Sequence, residues 1–357
     1  MFEVFGRWYK RKFSDPDSAV LLMLLVVATL ILTFWGDLLA PILVAVVLAY
    51  LLDWPVNRLE KIGLTRTYAS LLVLVAFVGL SIFAAVALVP VVWQQGLNFL
   101  NEIPQIWQQL QSVLLALPND YPQFFRSGQI ANLLQGFEQR VIDIGQQVLS
   151  ASFSSLFGAA ALLIYLILVP IMLLFMLKDK NLLLSNFAKL LPKERRLIKQ
   201  VGQEMNIQIL NYIRGKVIEI IIVGTVSAIA FALMDLRYAL LLGVLVGFSV
   251  LIPYIGAAVV TIPIAIVALF QWGVTPDFWT VMIVYGVIQA LDGNALVPIL
   301  FSEAVSLHPV YIIVAVLVFG GLWGFWGVFF AIPLASLVRA LFNAWSSPED
   351  FVHSIEN

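Results

Sequence analysis

The chain has 357 residues, of which 62% are hydrophobic and 11% are charged. Soluble globular domains average about 45–50% apolar and about 25% charged residues, so this composition excludes a soluble protein and predicts one embedded in lipid. The net charge of −1 argues against binding of nucleic acid, and the absence of cysteine excludes disulfides, thiolate metal sites and cysteine nucleophiles. Since His308 and His353 are the only histidines, we expect neither a metal site nor a cofactor.

Six apolar stretches contain no Asp, Glu, Lys or Arg, and several of them are long enough to hold a membrane-spanning helix. About 20 apolar residues cross the hydrocarbon, and the longest stretches have room for a helical hairpin. They lack the alternating pattern of barrel strands, so they predict an all-α, polytopic membrane protein. The first run is too long for the core of a secretory signal, and we interpret it as an uncleaved first helix. The stretches are 18–36, 38–52, 67–101, 144–177, 238–276 and 304–338.

Basic residues predict the orientation of the chain in the membrane. Four lie within residues 7–12, three within 58–66 and nine within 178–216, whereas residues 94–143 hold only two. Cytoplasmic loops are enriched in Lys and Arg. We therefore expect both termini, the 53–67 loop and the 178–216 segment to be cytoplasmic, and residues 94–143 to lie outside.

The outer segment carries two stripes of apolar residues at helical spacing. The first stripe runs from Leu97 to Leu117 and is interrupted at Pro104, and the second runs from Ile130 to Val148. The simplest interpretation is two amphipathic helices that rest on the membrane surface. A packing surface between subunits is the alternative.

Two apolar segments in the second half of the chain resemble each other. Residues 236–256 and 307–327 each run as an apolar helix into a cluster of glycine, aromatic and, in the first, proline residues, and an Ile-Pro pair follows each. Glycine permits backbone angles denied to other residues, and proline breaks a helix. Breaks at membrane depth are tolerated where they are buried in protein or line a watery cavity. Paired breaks therefore predict a transporter's substrate site, although glycine-rich faces also let helices pack closely.

Ionisable residues within the apolar runs also indicate a pathway. Asp292 has no basic neighbour in sequence, and we expect no second carboxylate close to it. A carboxylate inside the membrane is costly and by default marks an ion or substrate pathway. Glu219 lies near the predicted cytoplasmic edge and can pair with Arg214 or Lys216. His308 is either a proton relay or a polar cap on the following helix.

Several short motifs resemble the autoinducer-2 exporter family of bacterial membrane permeases. The order of the early spans and of the outer insert also agrees, so the resemblance covers nearly the whole chain. The motifs are NYIRG at 211–215, LIPYIG at 251–256, IQALDGN at 288–294, VSLHP at 305–309 and the closing run at 320–334.

The resemblance implies a permease with about eight transmembrane helices and re-entrant hairpins at the broken segments. It also implies homo-oligomers such as pentamers, multi-pass insertion in the bacterial inner membrane, and export of a small polar signal molecule or, in other members, sodium/proton antiport. The expected pathway residues are Arg214, Pro253, Tyr254, Gly256, Asp292, Asn294, His308, Pro309, Gly320, Gly321, Gly324 and Gly327.

We accordingly divide the chain into five segments. The first three are residues 1–92 with three transmembrane helices, residues 93–152 with the outer amphipathic helical insert, and residues 153–213 with the fourth transmembrane helix and a cytoplasmic amphipathic helix. The other two are residues 214–345 with the transport core and residues 346–357 with a cytoplasmic tail.

The leading hypothesis is a secondary exporter. The breaks at 252–256 and 320–327 would form the substrate cradle, Asp292 and Asn294 would supply polar contacts or proton coupling, and Arg214 would receive an anionic group at the cytoplasmic mouth. There is no GxxxxGK[ST] loop for a nucleotide, so an ion gradient or simple diffusion must drive transport.

Four alternatives remain beside the exporter. A sodium/proton antiporter is the first, and a passive channel suits the broken hairpins less well. An intramembrane enzyme would need a motif such as HExxH or GxSxG, and neither occurs. A structural or regulatory scaffold would leave the two similar breaks unexplained. We therefore expect a transporter and not an enzyme.

Overall fold

Within each range that the structure describes, the fold consists of helices joined by short turns or breaks. The computed structural model describes residues 16–120, 155–190, 196–301 and 308–345, and no strand occurs within these ranges. The predicted all-α class is confirmed. The helices are α1 Pro16–Lys61, α2 Arg66–Asp120, α3 Ser155–Lys178, α4 Lys180–Leu190, α5 Arg196–Leu233, α6 Ala239–Ser249, α7 Ile255–Trp272, α8 Pro276–Leu291, α9 Val297–Phe301, α10 Pro309–Phe329 and α11 Ala331–Trp345. A π-helical turn, Asp292–Leu296, joins α8 to α9.

Six helical segments in the described ranges are long and apolar enough to cross a membrane. A seventh is added if α3 and α4, which meet at 82°, form one bent span. The apolar helix Val20–Gly36 is shorter than these segments, and the predicted number of about eight stays a prediction. The protein is therefore a polytopic membrane protein. The six long segments are Leu38–Lys61, Arg66–Gln108, Ile198–Leu233, Ile255–Trp272, Pro276–Phe301 and Pro309–Phe329.

Helix α1 bends sharply at Trp35, whose φ of −125° and ψ of 16° lie outside the helical range. Before the bend, Leu21 belongs to one apolar cluster with Met205 of α5. After the bend, the Tyr50 hydroxyl donates to the Asn206 side chain at 2.9 Å. A straight helix would separate Leu21 from Tyr50 by about 43 Å, so the chain turns back on itself at the bend. This path agrees with the predicted outward and returning crossings.

Helix α2 is 55 residues long, which at 1.5 Å per residue is about 80 Å. The hydrocarbon is about 30 Å thick, so this helix extends well beyond it. The helix runs through Pro104, and the predicted interruption there is wrong, because the loss of one hydrogen bond has not ended a long helix. The first apolar stripe thus continues the third span instead of forming a separate helix. The second stripe, 130–148, lies outside the described residues.

An ionic cluster joins the first four helices at the turn between α1 and α2. The Arg66 guanidinium pairs with Asp53 at 3.1 Å and with Glu60 at 2.9 Å, and its Nε donates to the Leu177 carbonyl of α3 at 2.8 Å. The other oxygen of Asp53 pairs with Lys180 of α4 at 2.8 Å. Asp53 therefore binds the start of α2 and the start of α4 at once.

Helices α6 and α7 and the intervening residues 250–254 form what we call the first hairpin. Near the end of α7, the Gln271 Oε1 accepts from the Arg237 amide at 2.7 Å and its Nε2 donates to the Asp235 carbonyl at 2.6 Å. The two ends of the hairpin therefore lie side by side, next to the C-terminal end of α5. The segment is therefore a hairpin, and its predicted re-entrant position in the membrane stays a prediction.

Helices α10 and α11 form the second hairpin. Leu337 of α11 belongs to one apolar cluster with Ile198 and Val201, close to the N-terminal end of α5. The two hairpins thus approach the middle of α5 from its opposite ends.

The close packing of α5 against α6 depends on glycine. A Cβ at Gly243 would collide with Ala228 of α5, and a Cβ at Gly247 would lie 2.9 Å from the Ile220 carbonyl oxygen. Small residues four apart let membrane helices approach closely. The first hairpin is therefore fixed along α5 by the shape of its backbone.

Candidate transport site

The first break lies between α6 and α7 at residues 250–254. Tyr254 has a φ of 63°, a conformation that is uncommon for a residue with a side chain. A Cβ at Gly256 would overlap the Ser249 carbonyl oxygen, so only glycine lets the chain fold back so tightly here.

The second break interrupts α10 at Trp323 and Gly324, where Gly324 has a φ of 56°. Three residues later, a Cβ at Gly327 would overlap the Phe319 carbonyl oxygen. Each break thus combines one residue of positive φ with a glycine packed against the preceding helix. The similarity of the two sequence segments corresponds to a similarity of backbone geometry.

Two donors from α5 satisfy carbonyl groups that the first break and the end of α10 leave free. The Tyr212 hydroxyl donates to the Phe329 carbonyl at 2.7 Å, and the Lys216 ammonium donates to the Val250 carbonyl at 2.7 Å. Pro333 has no N–H, so the Phe329 carbonyl lacks the partner that a continuous helix would supply. Tyr212 and Lys216 are one helical turn apart, so neighbouring side chains hold the two hairpins.

Lys216 also forms an ion pair inside the protein. Its ammonium lies 2.8 Å from Glu219 Oε2, and the two residues are 4% and 2% exposed. The ammonium lies 5.4 Å from the centre of the Phe301 ring, within range of a cation–π contact. Partners on three sides thus compensate the burial of this charge.

This pair borders a cavity of about 320 Å³, which we call the charged cavity. The cavity lies between α5, the first break, the π-helical turn and the second hairpin. Its polar lining includes a second carboxylate, Asp292, together with Gln289. The lining residues are Lys216, Glu219, Ser249, Val250, Ile252, Pro253, Tyr254, Ala257, Gln289, Asp292, Gly293, Val297, Phe301, Ile312 and Ile332.

Asp292 begins the π-helical turn. Such turns inside α-helices are rare and frequently occur at functional sites. Asp292 Oδ1 and Gln289 Nε2 are buried and form no hydrogen bond within the described residues. Buried polar atoms without partners are uncommon and call for an explanation. A ligand that donates to Asp292 and accepts from Gln289 would satisfy both.

The predicted pathway residues fall into separate groups. Pro253, Tyr254 and Asp292 line the charged cavity, and Gly256 forms the tight turn beside it. Arg214 is half-buried on α5 and does not line the cavity.

Asn294, His308 and Pro309 have local roles in this structure. The exposed Asn294 donates to the Ala290 carbonyl at 2.8 Å. The Nδ1 of the exposed His308 accepts from the Val310 amide at 3.3 Å, and Pro309 is the first residue of α10. This geometry is that of a helix cap, one of the two roles expected for His308.

The predicted glycines of the second break lie apart from the charged cavity. Gly320, Gly321, Gly324 and Gly327 do not line it, and Gly324 borders a different, mainly apolar cavity of about 840 Å³. Ile252 of the first break nevertheless packs against the second hairpin. The two breaks are therefore neighbours, but they do not enclose one common cradle.

The sequence interpretation missed Tyr212, Lys216 and Gln289 as parts of the site. The expectation of no second carboxylate near Asp292 was wrong, because Glu219 lines the same cavity from another helix. The predicted pairing of Glu219 with Lys216 is confirmed. A spacing signal was present, since Lys216 and Glu219 are three residues apart, as are Gln289 and Asp292.

Comparisons with known proteins agree with this architecture. Residues 20–347 match the sequence profile of a family described as AI-2E family transporter. The chain is 51% identical to the candidate permease PerM of Escherichia coli strain K12 over 345 residues, which cover 97% of this chain and 98% of that protein. It is 27% identical to the candidate transport protein YueF of Bacillus subtilis strain 168 over 316 residues, covering 87% of this chain and 85% of that one.

Proposed function

Because the chain belongs to the AI-2E family of membrane transporters, we propose that it is a secondary exporter of a small polar molecule, such as an autoinducer-2-type signal. In this proposal the molecule passes through the charged cavity. One observation carries the proposal: the buried Lys216–Glu219 pair and Asp292 line a single cavity beside the middle of α5, where the two hairpins meet.

The size of the charged cavity supports a small substrate. Its volume of about 320 Å³ lies at the lower end of the roughly 300–1,000 Å³ typical of small-ligand pockets. Its charged groups favour a molecule with hydroxyl or carbonyl groups over a lipid, because a buried charge without a polar partner is costly.

Sodium/proton antiport is the second candidate function. Two carboxylates and one ammonium line the charged cavity, which gives a formal charge of −1 when all three are ionised. A proton or a monovalent cation would balance this charge. The same feature allows an ion gradient to drive an exporter, because protonation of a carboxylate changes the charge of the cavity.

The purified protein in liposomes provides the test. Efflux of a labelled autoinducer-2-type furanone under an imposed pH gradient is compared for wild type, Asp292→Asn and Asp277→Asn. Asp277 is exposed at the start of α8, the helix that leads into the π-helical turn, so its variant controls for the chemical change. We expect saturable efflux in wild type and in Asp277→Asn, and a loss of tenfold or more in Asp292→Asn, roughly the effect of removing one charge-assisted contact.

One outcome would contradict export of this substrate, and another would contradict the role of Asp292. Efflux no faster than from empty liposomes would remove this substrate, and sodium-dependent proton movement in the same vesicles would then favour the antiporter. Equal efflux in Asp292→Asn and wild type would remove Asp292 from the pathway.

The cellular setting is part of the proposal. We place the chain in the bacterial inner membrane as a homo-oligomer, such as a pentamer, with both termini in the cytoplasm. The basic residues within 7–12 and 178–216 support this orientation.

A further inference from the structure

The strongest unassigned feature is the pair of donors from α5 to the two hairpins. Tyr212 and Lys216 are one turn apart. Tyr212 donates to the Phe329 carbonyl at the end of α10, and Lys216 donates to the Val250 carbonyl at the first break. Both donors are nearly fully buried.

The two donors differ in their relation to the charged cavity. Lys216 lines it and also pairs with Glu219. Tyr212 does not line it, and its ring lies against Phe301 and Phe329 with centroids 5.9 and 6.0 Å away. The hydrogen bond to the first hairpin thus depends on a charged group of the cavity, whereas the bond to the second hairpin is made by a neutral group outside it.

We propose that Tyr212 and Lys216 are positioning residues that hold the two hairpins independently, and that Lys216 links the first hairpin to the contents of the charged cavity. A ligand that binds Lys216, or a proton that neutralises Glu219, changes the forces on the ammonium that holds the Val250 carbonyl. The first hairpin is then released or held according to what the cavity contains. This inference rests on the proposed function for its meaning in transport, but its geometry can be tested without a substrate.

Single cysteines provide local reporters, because the chain has no cysteine of its own. Ser249→Cys, at the end of α6, reports on the first hairpin, and Ser336→Cys, on α11, reports on the second. Both serines are buried, and cysteine is close to serine in size. The rate of reaction with N-ethylmaleimide is measured for the reconstituted full chain, and each reporter in the otherwise unchanged chain is the reference.

The donors are then removed one at a time. We expect Lys216→Met to raise the reaction rate at Ser249→Cys about fivefold or more and to leave the rate at Ser336→Cys unchanged. We expect Tyr212→Phe to raise the rate at Ser336→Cys by a similar factor and to leave the rate at Ser249→Cys unchanged. We call this outcome the crossed pattern. A fivefold change is about what the loss of one hydrogen bond of average strength produces in an opening equilibrium. Lys216→Arg, which keeps a donor, should restore slow labelling at Ser249→Cys.

Three controls keep the test decisive. Lys199→Met changes an exposed lysine of the same helix, and Tyr50→Phe removes another tyrosine hydrogen bond to α5. The double variant Lys216→Met with Glu219→Gln avoids leaving an unpaired buried carboxylate. If Lys216→Met alone does not fold, the double variant should likewise raise the rate at Ser249→Cys and leave the rate at Ser336→Cys unchanged.

The result also separates this inference from the proposed function. A rise at both reporters with either variant, or at neither, would overturn the independent holding of the hairpins, even if furanone efflux is observed. The crossed pattern would support it even if the furanone is not the substrate. In vesicles that transport, Tyr212→Phe should change the maximal rate with little change in KM, because Tyr212 does not touch the cavity, whereas Lys216→Met should change both.

Discussion

At the scale of single residues, two glycines decide whether the breaks can form. Gly256 and Gly327 each face a backbone carbonyl at a distance that leaves no room for a Cβ. A backbone carbonyl cannot rotate out of the way as a flexible side chain can. The chain must therefore deform if either glycine is replaced.

We expect Gly256→Ala to lower the thermal unfolding midpoint in detergent by several degrees. The added methyl group overlaps the Ser249 carbonyl, and overpacking of this kind costs about 1–3 kcal/mol. Gly286→Ala on α8 is the matched control, because no atom of the described residues lies within 4 Å of a Cβ there. That control should keep or raise the midpoint, since alanine is more favourable than glycine in a helix by about 0.5–1 kcal/mol. Equal midpoints for both variants would mean that the tight turn is absent.

The charged residues of the site were only partly predictable. Asp292 stood out because an isolated carboxylate in an apolar run is expensive. Lys216 did not stand out in the sequence, because a lysine near a predicted helix end is usually solvated. Only the packing of the surrounding elements shows that Lys216 is 4% exposed. His308 and Asn294 bond locally to their own helices, and nothing in sequence distinguishes such a cap from a pathway residue.

At the scale of helices, one ionic cluster centred on Asp53 and Arg66 joins the four helices of the first half. Asp53 pairs with Arg66 of α2 and with Lys180 of α4, and its side chain is 13% exposed. By contrast, the pair between Arg237 and Glu102, which joins α2 to the turn before the first hairpin, is 57% and 30% exposed. Ion pairs shielded from water are more costly to break than exposed ones.

We predict that Asp53→Asn destabilises the protein more than Arg237→Gln does. The first variant weakens two charge-assisted contacts, each worth about 1.5–3 kcal/mol, and should lower the midpoint clearly. The second should change stability by less than about 1 kcal/mol. Thermal unfolding of both variants at low and high salt checks this expectation, and a larger loss for Arg237→Gln would refute it.

The helices themselves were predictable, because runs of apolar residues in lipid have few alternatives to a helix. Their ends and bends were less so. Proline suggested an interruption at Pro104, where the helix continues, while the sharp bend of α1 falls at Trp35, which has no special backbone chemistry. The direction of such a bend depends on packing between distant segments.

At the scale of the whole molecule, the two hairpins reach the middle of α5 from its opposite ends. Polar sites between two such broken elements are the arrangement that secondary transporters use for their substrates. Ile252 of the first break packs against the second hairpin, so the two hairpins are neighbours although separate donors hold them.

A re-entrant first hairpin predicts that its two ends are exposed on one face of the membrane. Arg237→Cys and Val274→Cys, which flank the hairpin and are both exposed, should react with a membrane-impermeant maleimide from the same side of intact cells. Ile62→Cys, in the loop after α1, should react only after the cells are opened. Labelling of Arg237→Cys and Val274→Cys from opposite sides would mean that the hairpin spans the membrane.

The most direct measurement is a chemical block of the charged cavity. Ala257 lines this cavity, whereas Ala290 is exposed and does not line it. Ala257→Cys and Ala290→Cys, each the only cysteine in its chain, are modified with a bulky methanethiosulfonate reagent in liposomes, and both furanone efflux and sodium-dependent proton movement are followed. We predict that modification at residue 257 stops transport and that modification at residue 290 leaves it intact. Undiminished transport after complete modification at residue 257 would contradict the assignment of the charged cavity as the transport pathway.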